Sequence, residues 1–570
     1  MRKTNLYILG ICLSALAFTS CKDFLDRSPI STPTTGSFLN TEGEMNGALT
    51  GLYQSTYWNS GSVPYQVTFD HWTDFGVERA PGLAAGIYDT YDGNVANIWN
   101  FSYVMIQRAN TLLDGMVVGK NNVAADTYER IRAEARTLRV FAYFHLVNMY
   151  GDVPLITKVL TPAEYKPLRT PKAEVVKFML DELDSCAKVL KYASPDRGRL
   201  TKGVVLGLKA RIALFDGQYQ VAAEAAGEVI REGGYGLNPK FQDLFTRSGQ
   251  TANAGKEIMF ELMFADAAAN SLNYLALGQG SRNLGAQSGK FPTQRLVDLF
   301  EDKEGKRIDE STIYDPAHPS RNRDSRLRWT VMMTGDTITL YGSGNAPRRC
   351  VFDVYNTQTN FYNFTTNTWA AGDNQDLSSP YGPAKSGVGY LWAKYTFTDE
   401  DITKARVSWI FMRYAEILLT YAEAKIEMGQ LDATVTDAIN KVRNRSGMPD
   451  VAAAVAGDAN KMRQLVRRER GVELALEGFR WFDIRRWKIA ELVMPGKVYG
   501  AAKTQADPLG KPNFKKSAVT DLNNIPDYTS EANKIMSRDD RAFLPRHYLF
   551  PIPQQERNLN DKLTTNPGWE

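Results

Sequence analysis

The chain has 570 residues, 43 % of them apolar and 23 % charged, and its 68 Lys and Arg against 64 Asp and Glu leave a formal charge of only +4. Length and apolar content exclude a small stapled module and a disordered chain, and they call for more than one packed region. The near balance of charge, without a run of one sign, gives no surface for tracking polyphosphate, so nucleic acid is not expected as a partner. Aromatic residues reach 11 %, a surplus that suits a surface made to stack on flat ligand faces.

Arg2 and Lys3 precede an apolar run from Leu6 to Phe18. That run suits a signal-peptide core and is shorter than the roughly 20 residues a membrane-spanning helix needs. Phe18-Thr19-Ser20-Cys21 resembles a bacterial lipobox, whose cysteine is acylated and becomes the first residue. Residues 1–20 are therefore expected to be a lipoprotein signal peptide and Cys21 a lipid anchor, with ordinary signal cleavage nearby as the alternative. Losing Arg2 and Lys3 takes the formal charge from +4 to +2. The remaining cysteines are Cys12, Cys186 and Cys350. With no CxxC they give neither a disulfide framework nor a zinc cluster, and nothing in sequence says whether Cys186 and Cys350 are bonded.

From Asn97 to Tyr150 the pattern is mostly helical, with Ile131, Ala135, Leu138, Ala142, Leu146 and Met149 on one stripe. Gly151 and Pro154 end it. A second helical stretch starts at Thr170-Pro171 and reaches about Tyr192. A helical hairpin from Leu208 to Ile230 can be laid over Thr420 to Val442, with Gly217 on Gly429, Ala210 on Ala422 and Ala226 on Ala438. Small residues there let antiparallel helices approach closely, as in tetratricopeptide-like repeats. Between about Phe264 and Thr398 the helical period disappears, apart from a short helix near Thr293 to Phe300. Gly, Asn, Ser and aromatics take over, among them Tyr341-Gly342, Tyr381-Gly382 and Gly389-Tyr390. Helices resume after Arg406 and run to about Trp487, and a Pro- and Asn-rich tail is expected to wrap the surface in extended form. The fold class predicted is mainly α, a tetratricopeptide-like helical scaffold with a loop-rich insertion containing short strands. Its parts are 21–263, 264–398, 399–490 and a tail 491–570. Binding residues concentrate on loops held by a rigid scaffold, which points to the insertion as the ligand-binding part.

The order of several short motifs resembles the SusD/RagB family of outer-membrane nutrient-binding lipoproteins. They include Cys21-Lys22-Asp23-Phe24-Leu25-Asp26, Gln107-Arg108-Ala109-Asn110, Glu134-Ala135-Arg136 leading into Tyr150-Gly151-Asp152, and Arg413-Tyr414-Ala415-Glu416. Glu469-Arg470-Gly471, Glu477-Gly478-Phe479-Arg480-Trp481 and Asn566-Pro567-Gly568-Trp569 continue the series. The resemblance implies a helical framework against a TonB-dependent transporter barrel of the SusC type. It also implies a loop-rich part over the barrel mouth, an outer-membrane location facing the exterior, and a ligand carrier rather than an enzyme.

Glu469, Glu473 and Glu477 share one helix face, and Glu416 and Glu423 lie two turns apart on another. Paired carboxylates are what glycosidic cleavage needs. Arg467, Arg468, Arg470, Arg480, Arg485 and Arg486 crowd the first set, so ion pairs that pin helix to helix account for it more simply. The four histidines, His71, His145, His318 and His547, include no HExxH and no metal-ligand spacing, no Ser lies in GxSxG, and no phosphate loop is visible. No catalytic residue, metal or cofactor is expected.

Sugars offer apolar C–H faces ringed by hydroxyls, so a site needs a ring beside planar polar groups. Two regions have that mixture. One holds Trp72, Arg79, Tyr88 and Tyr91, where Asp74 resembles the family's aspartate before a ligand-contacting loop. The other holds Tyr274 and Arg282, with Tyr362 and Trp369 further along; Trp99 and Trp481 are assigned to core. The function expected is capture of an oligo- or polysaccharide for delivery to the transporter. A surface glycoside hydrolase and a peptide- or protein-binding adaptor are the alternatives.

Overall fold

The computed structural model describes residues 38–60, 63–194, 196–264, 273–514 and 525–570; the signal segment and Cys21 lie outside them. The fold is mainly helical. The first half contributes α1 (Glu42–Gln54), α2 (Gly93–Gly115), α3 (Ala125–Tyr150), α4 (Lys172–Ala187), α5 (Lys202–Phe215) and α6 (Tyr219–Glu232). From α2 onward each packs on the next. Helices start where the sequence supplies caps. Thr41 and Glu44 form a capping box on α1, Asp92 accepts from the Asn94 and Val95 amides on α2, and the Thr201 hydroxyl accepts from the Val204 amide on α5. Helix α3 departs from the single stripe expected. Between Ala133 and Tyr150 almost every side chain is buried, because α1, α2, α4 and α5 pack around it.

The repeat read from sequence is present as α5–α6 and α7 (Tyr414–Glu427) with α8 (Ala433–Arg445). Gly217 and Gly429 have φ of +77° and +71°, a left-handed conformation that side chains with a Cβ resist. Both turns close alike, with Gln218 N–H donating to the Ala213 carbonyl at 2.8 Å and Gln430 N–H to that of Lys425 at 2.9 Å. Helix α6 packs on α7, so the two hairpins stack, and α9 (Ala459–Glu473) and α10 (Arg480–Arg486) complete the second half.

The strands that position the site are β1 (Gly76–Glu78), β2 (Ile258–Leu262), β3 (Lys290–Pro292), β4 (Thr337–Tyr341), β5 (Pro347–Val351), β6 (Gln358–Asn363), β7 (Thr368–Asp373) and β8 (Trp409–Arg413). Strands β4 to β7 form an antiparallel meander. Strand β2 pairs antiparallel with β8 and clasps the base of the insertion. Residues 409–413, read from sequence as resumed helix, are all buried and form this strand; the helix starts at Tyr414.

The insertion has a core of its own, in which Ile338, Leu340, Cys350, Phe352, Val388 and Leu391 pack with Phe291. Val77 of β1, paired in register with Phe291 of β3, joins that core, so a piece of the N-terminal half is built into the insertion. Cys350 lies here and Cys186 in the helical core, and both are free. The tail is more than an extended wrap. Gly496–Ala502 pairs with Ile535–Arg541, Gln554–Leu559 is helical, and Phe550, Ile552 and Trp569 enter the helical core.

Candidate functional site

The eight residues singled out for ligand contact separate into distinct places. Trp72 and Tyr88 are corrected to core, at 2 % and 7 % exposure. The Trp72 ring is enclosed by Tyr65, Phe69 and Trp481, with centroids 5.8 to 5.9 Å away, and Tyr88 sits among His547, Phe550 and Trp569. No ring face is left for a sugar. Tyr91 is 71 % exposed, but beside the tail, where Gln554 N–H donates to the Thr90 carbonyl. Tyr274 is half-buried against the helical core near Tyr57, whose phenol is pushed up to about 12 by burial and by Tyr274. Trp99 and Trp481 are buried, as their assignment to core requires.

Arg79 and Arg282 are brought together. Arg79 follows β1, and its amide extends the β1–β3 pairing by donating to the Gly289 carbonyl at 3.2 Å. Asp74 anchors this segment from below. Burial would raise its pKa, but ion pairs to Arg480 at 2.8 Å and Arg295 at 2.6 Å outweigh that and hold it below the usual range. The Arg79 guanidinium turns to the carbonyls of Gln287 and Ser288. Arg282 opens a short 3-10 turn, Arg282–Leu284, braced by the buried Asp376. The Asp376 carboxylate accepts from the Ser281 hydroxyl at 2.5 Å, the Arg282 amide at 2.8 Å and the Asn283 side chain at 2.9 Å. Burial pushes Asp376 up to about 6 in spite of those bonds.

Tyr381 stands close to both guanidiniums. Arg79 Cζ lies 5.1 Å and Arg282 Cζ 5.3 Å from its ring centroid, within cation–π range. The ring is 55 % exposed. It is held up by the turn Ser379-Pro380-Tyr381-Gly382, closed by the Gly382 amide on the Ser379 carbonyl at 3.0 Å, with Pro and Gly where such turns favour them. A Cβ at Gly382 would meet the Asp376 carbonyl at 2.5 Å, so only glycine lets this turn sit against the braced segment. The loops thus present an aromatic face with two planar donors beside it. Tyr381 stood in the loop inventory from sequence but was not singled out; a Pro-Tyr-Gly turn was the available signal.

Tyr362 and Trp369 are also brought together, as a direct cross-strand pair of β6 and β7 with ring centroids 5.2 Å apart. Arg349 of β5, opposite Tyr362 in register, lies over the rings of Tyr362 at 5.2 Å and Phe364 at 5.0 Å and donates to the Thr339 hydroxyl. Trp369 is 44 % exposed. Because side chains alternate across a strand, this row stands on the face opposite Cys350 and Phe361, which pack on the insertion core. It is a second, separate aromatic face.

The glutamates are structural, and Glu469, Glu473 and Glu477 take partners other than the arginines next to them in sequence. Glu473 contacts Arg326 at 2.9 Å, Arg413 at 2.5 Å and Arg445; Glu469 contacts Arg326 and Arg443; Glu477 contacts Arg413 and Lys394. Burial opposes charge on Glu473, yet Arg445, Arg413 and Arg326 hold its pKa well below the ordinary range. Glu416 pairs with Arg211 and Glu423 with Arg486. Arg467, Arg468 and Arg480 go instead to Glu427, Glu301 and Asp74. All five glutamates are buried, whereas glycosidic cleavage needs an accessible pair with one carboxyl kept protonated. His145 is a core residue, bonded to the Phe141 carbonyl and lowered by burial to about 3. Among the described residues no group of three His, Cys, Asp or Glu could hold a metal, and no helix is long and apolar enough to cross a membrane.

Comparison with known proteins agrees with this architecture. The model of the SusD family matches residues 256–569, and one described as starch-binding associating with outer membrane matches residues 23–214. A SusD-like protein of Formosa agariphila, P2, is 23 % identical over 99 % of both chains. Among solved structures, a SusD-like carbohydrate binding protein from Bacteroides fragilis superposes with a TM-score of 0.76 at 26 % identity, covering 92 % of this chain and 100 % of its own. A laminarin-binding SusD-like protein gives 0.63 at 20 % identity, covering 93 % and 100 %.

Proposed function

The chain belongs to the SusD family, and on that premise we propose that it is a non-enzymatic carrier that binds a glycan at the Tyr381 face. It passes the glycan to a TonB-dependent transporter of the SusC type and is held to the outer membrane, facing the exterior, by lipid on Cys21. The observation that carries the reading is the exposed Tyr381 ring flanked by Arg79 and Arg282 on a turn braced by Asp376. A partly exposed ring with planar donors close by is an arrangement that suits a sugar face. The relatives' printed names, starch-binding, laminarin binding and carbohydrate binding, support the same class of ligand. The row of Trp369, Tyr362 and Phe364, exposed at Trp369 and Phe364, serves as an additional contact for a long chain. Burial of every prominent glutamate in ion pairs supports a carrier over a hydrolase.

Affinity electrophoresis of protein lacking residues 1–20 through gels containing starch, laminarin, pectin, alginate or carrageenan tests this, with chromatography of any products. Retardation by at least one polymer without shortening it is expected. Absence of retardation by any glycan, or release of fragments that stops in Glu473→Gln, overturns the proposal.

A further inference from the structure

Arginine in this molecule is normally spent on carboxylates. Arg211, Arg326, Arg413, Arg443, Arg445, Arg470 and Arg486 all make ion pairs inside the helical half. The arginines at the candidate site belong with the smaller set, such as Arg169, Arg323 and Arg541, that reach backbone carbonyls instead. Among the described residues no carboxylate oxygen lies within 4.0 Å of Arg79, Arg282 or Arg348. Arg79 is satisfied only by carbonyls. The Arg282 Nε is buried and donates to nothing. Arg348 is exposed and reaches the same turn, since a Cβ on Gly285, three residues after Arg282, would meet its Nη1 at 2.8 Å.

The acids nearest the cluster are already committed. Asp376 turns inward to Ser281, Arg282 N–H and Asn283, and Glu78, next to Arg79, pairs with Lys290. Two cations therefore share one ring without a direct ion pair, the Asp376 carboxylate acting on Arg282 only from a distance. Arg79 registers the strain: burial and the charge of Arg282 lower its pKa from the ordinary arginine value. Neutral hydroxyls satisfy donors but leave that repulsion in place. A planar carboxylate or a sulfate ester relieves it and matches the guanidinium fork.

Resting on the glycan-binding reading, we propose that the ligand of the Tyr381 face is an acidic glycan, one bearing uronate carboxylates or sulfate esters, whose anion is held by Arg79 and Arg282 with Arg348 at the rim.

Polymers matched in backbone but differing in charge test it: de-esterified against highly methyl-esterified homogalacturonan for the uronate arm, and carrageenan against chemically desulfated carrageenan for the sulfate arm, with starch and laminarin as neutral references. Affinities are measured at low and high salt for the wild type, Arg79→Gln and Arg282→Gln, each checked for an unchanged melting temperature. The expected result is tenfold or greater preference for one acidic polymer over its neutral twin. Either substitution should reduce that preference at least fivefold, and salt should weaken it. Preference for de-esterified homogalacturonan identifies uronate, and preference for carrageenan identifies sulfate. Tight binding of a neutral polymer that neither substitution disturbs overturns the acidic-ligand inference and leaves the glycan reading standing. An acidic preference that survives both substitutions also overturns it, because a diffuse field would then be responsible. If no polymer binds, the glycan reading fails and this inference with it.

Discussion

Replacing Asp376 with Ala removes the acceptor that holds the 281–283 turn in place. Three bonds to it are lost, from the Ser281 hydroxyl, the Arg282 amide and the Asn283 side chain, at 2.5 to 2.9 Å. Bonds to a charged acceptor contribute about 1.5–3 kcal/mol each, so the gross loss is about 5–9 kcal/mol. Loss of even about 2 kcal/mol of that local stability accelerates hydrogen exchange of the 281–286 amides roughly 30-fold. With the three bonds in place, burial still raises the carboxyl from 3.8 to about 6, so ionisation in the fold costs about 3 kcal/mol at pH 7. The sign of the pH dependence follows from the raised pKa. Between about pH 4 and 6 the folded state keeps the proton that the unfolded state has lost, so the stability due to Asp376 falls as pH rises through that window. The gap between wild type and Asp376→Ala should then be about 2 kcal/mol wider at pH 4 than at pH 7. A gap below about 1 kcal/mol, or one that widens toward neutral pH, would refute this account of how the turn is held.

Glu473→Gln should lower global stability by about 3–5 kcal/mol in denaturant unfolding, since it strips the acid from three buried guanidiniums; a change below about 1 kcal/mol would deny it a structural role. Trp72→Ala should cost about 3–5 kcal/mol through the cavity it leaves, while glycan affinity per folded molecule stays at the wild-type value. A normal melting temperature combined with lost binding would return Trp72 to the site. Cys21→Ala should move the protein out of the membrane fraction on cell fractionation, because the lipid is its expected hold on the bilayer. Continued sedimentation with membranes would contradict the anchor.

Much of the scaffold was legible because its signals are local. The hairpin of α5 and α6 and its counterpart declare themselves through Gly217 and Gly429, whose positive φ recurs in the fold. The short helix near Thr293 is capped by that residue's own hydroxyl. Strand β8 was not legible. Its five buried residues have neither alternation nor helical period, and only pairing with β2, about 150 residues earlier, makes them a strand. The site was half legible for the same reason. Composition picked out Arg79 and Arg282, but their union depends on β1 pairing with β3 across more than 200 residues. Trp72 and Tyr88 misled because a loop aromatic beside Gly and Pro has the same composition whether the segment lies on the surface or, as here, beneath the helices and tail. The ion-pair reading of Glu473 was sound in kind, yet its partners Arg326 and Arg413 come from distant segments that no spacing rule connects.

The most direct test of the central claim is calorimetric titration of Tyr381→Ala with whichever glycan retards the wild type. Loss of a well-placed ring should reduce affinity by about 1–3 kcal/mol, roughly tenfold to hundredfold. The melting temperature should not move, because the ring stands on an exposed turn. Affinity within twofold of wild type in a fully folded Tyr381→Ala protein would contradict the placement of the glycan on this face.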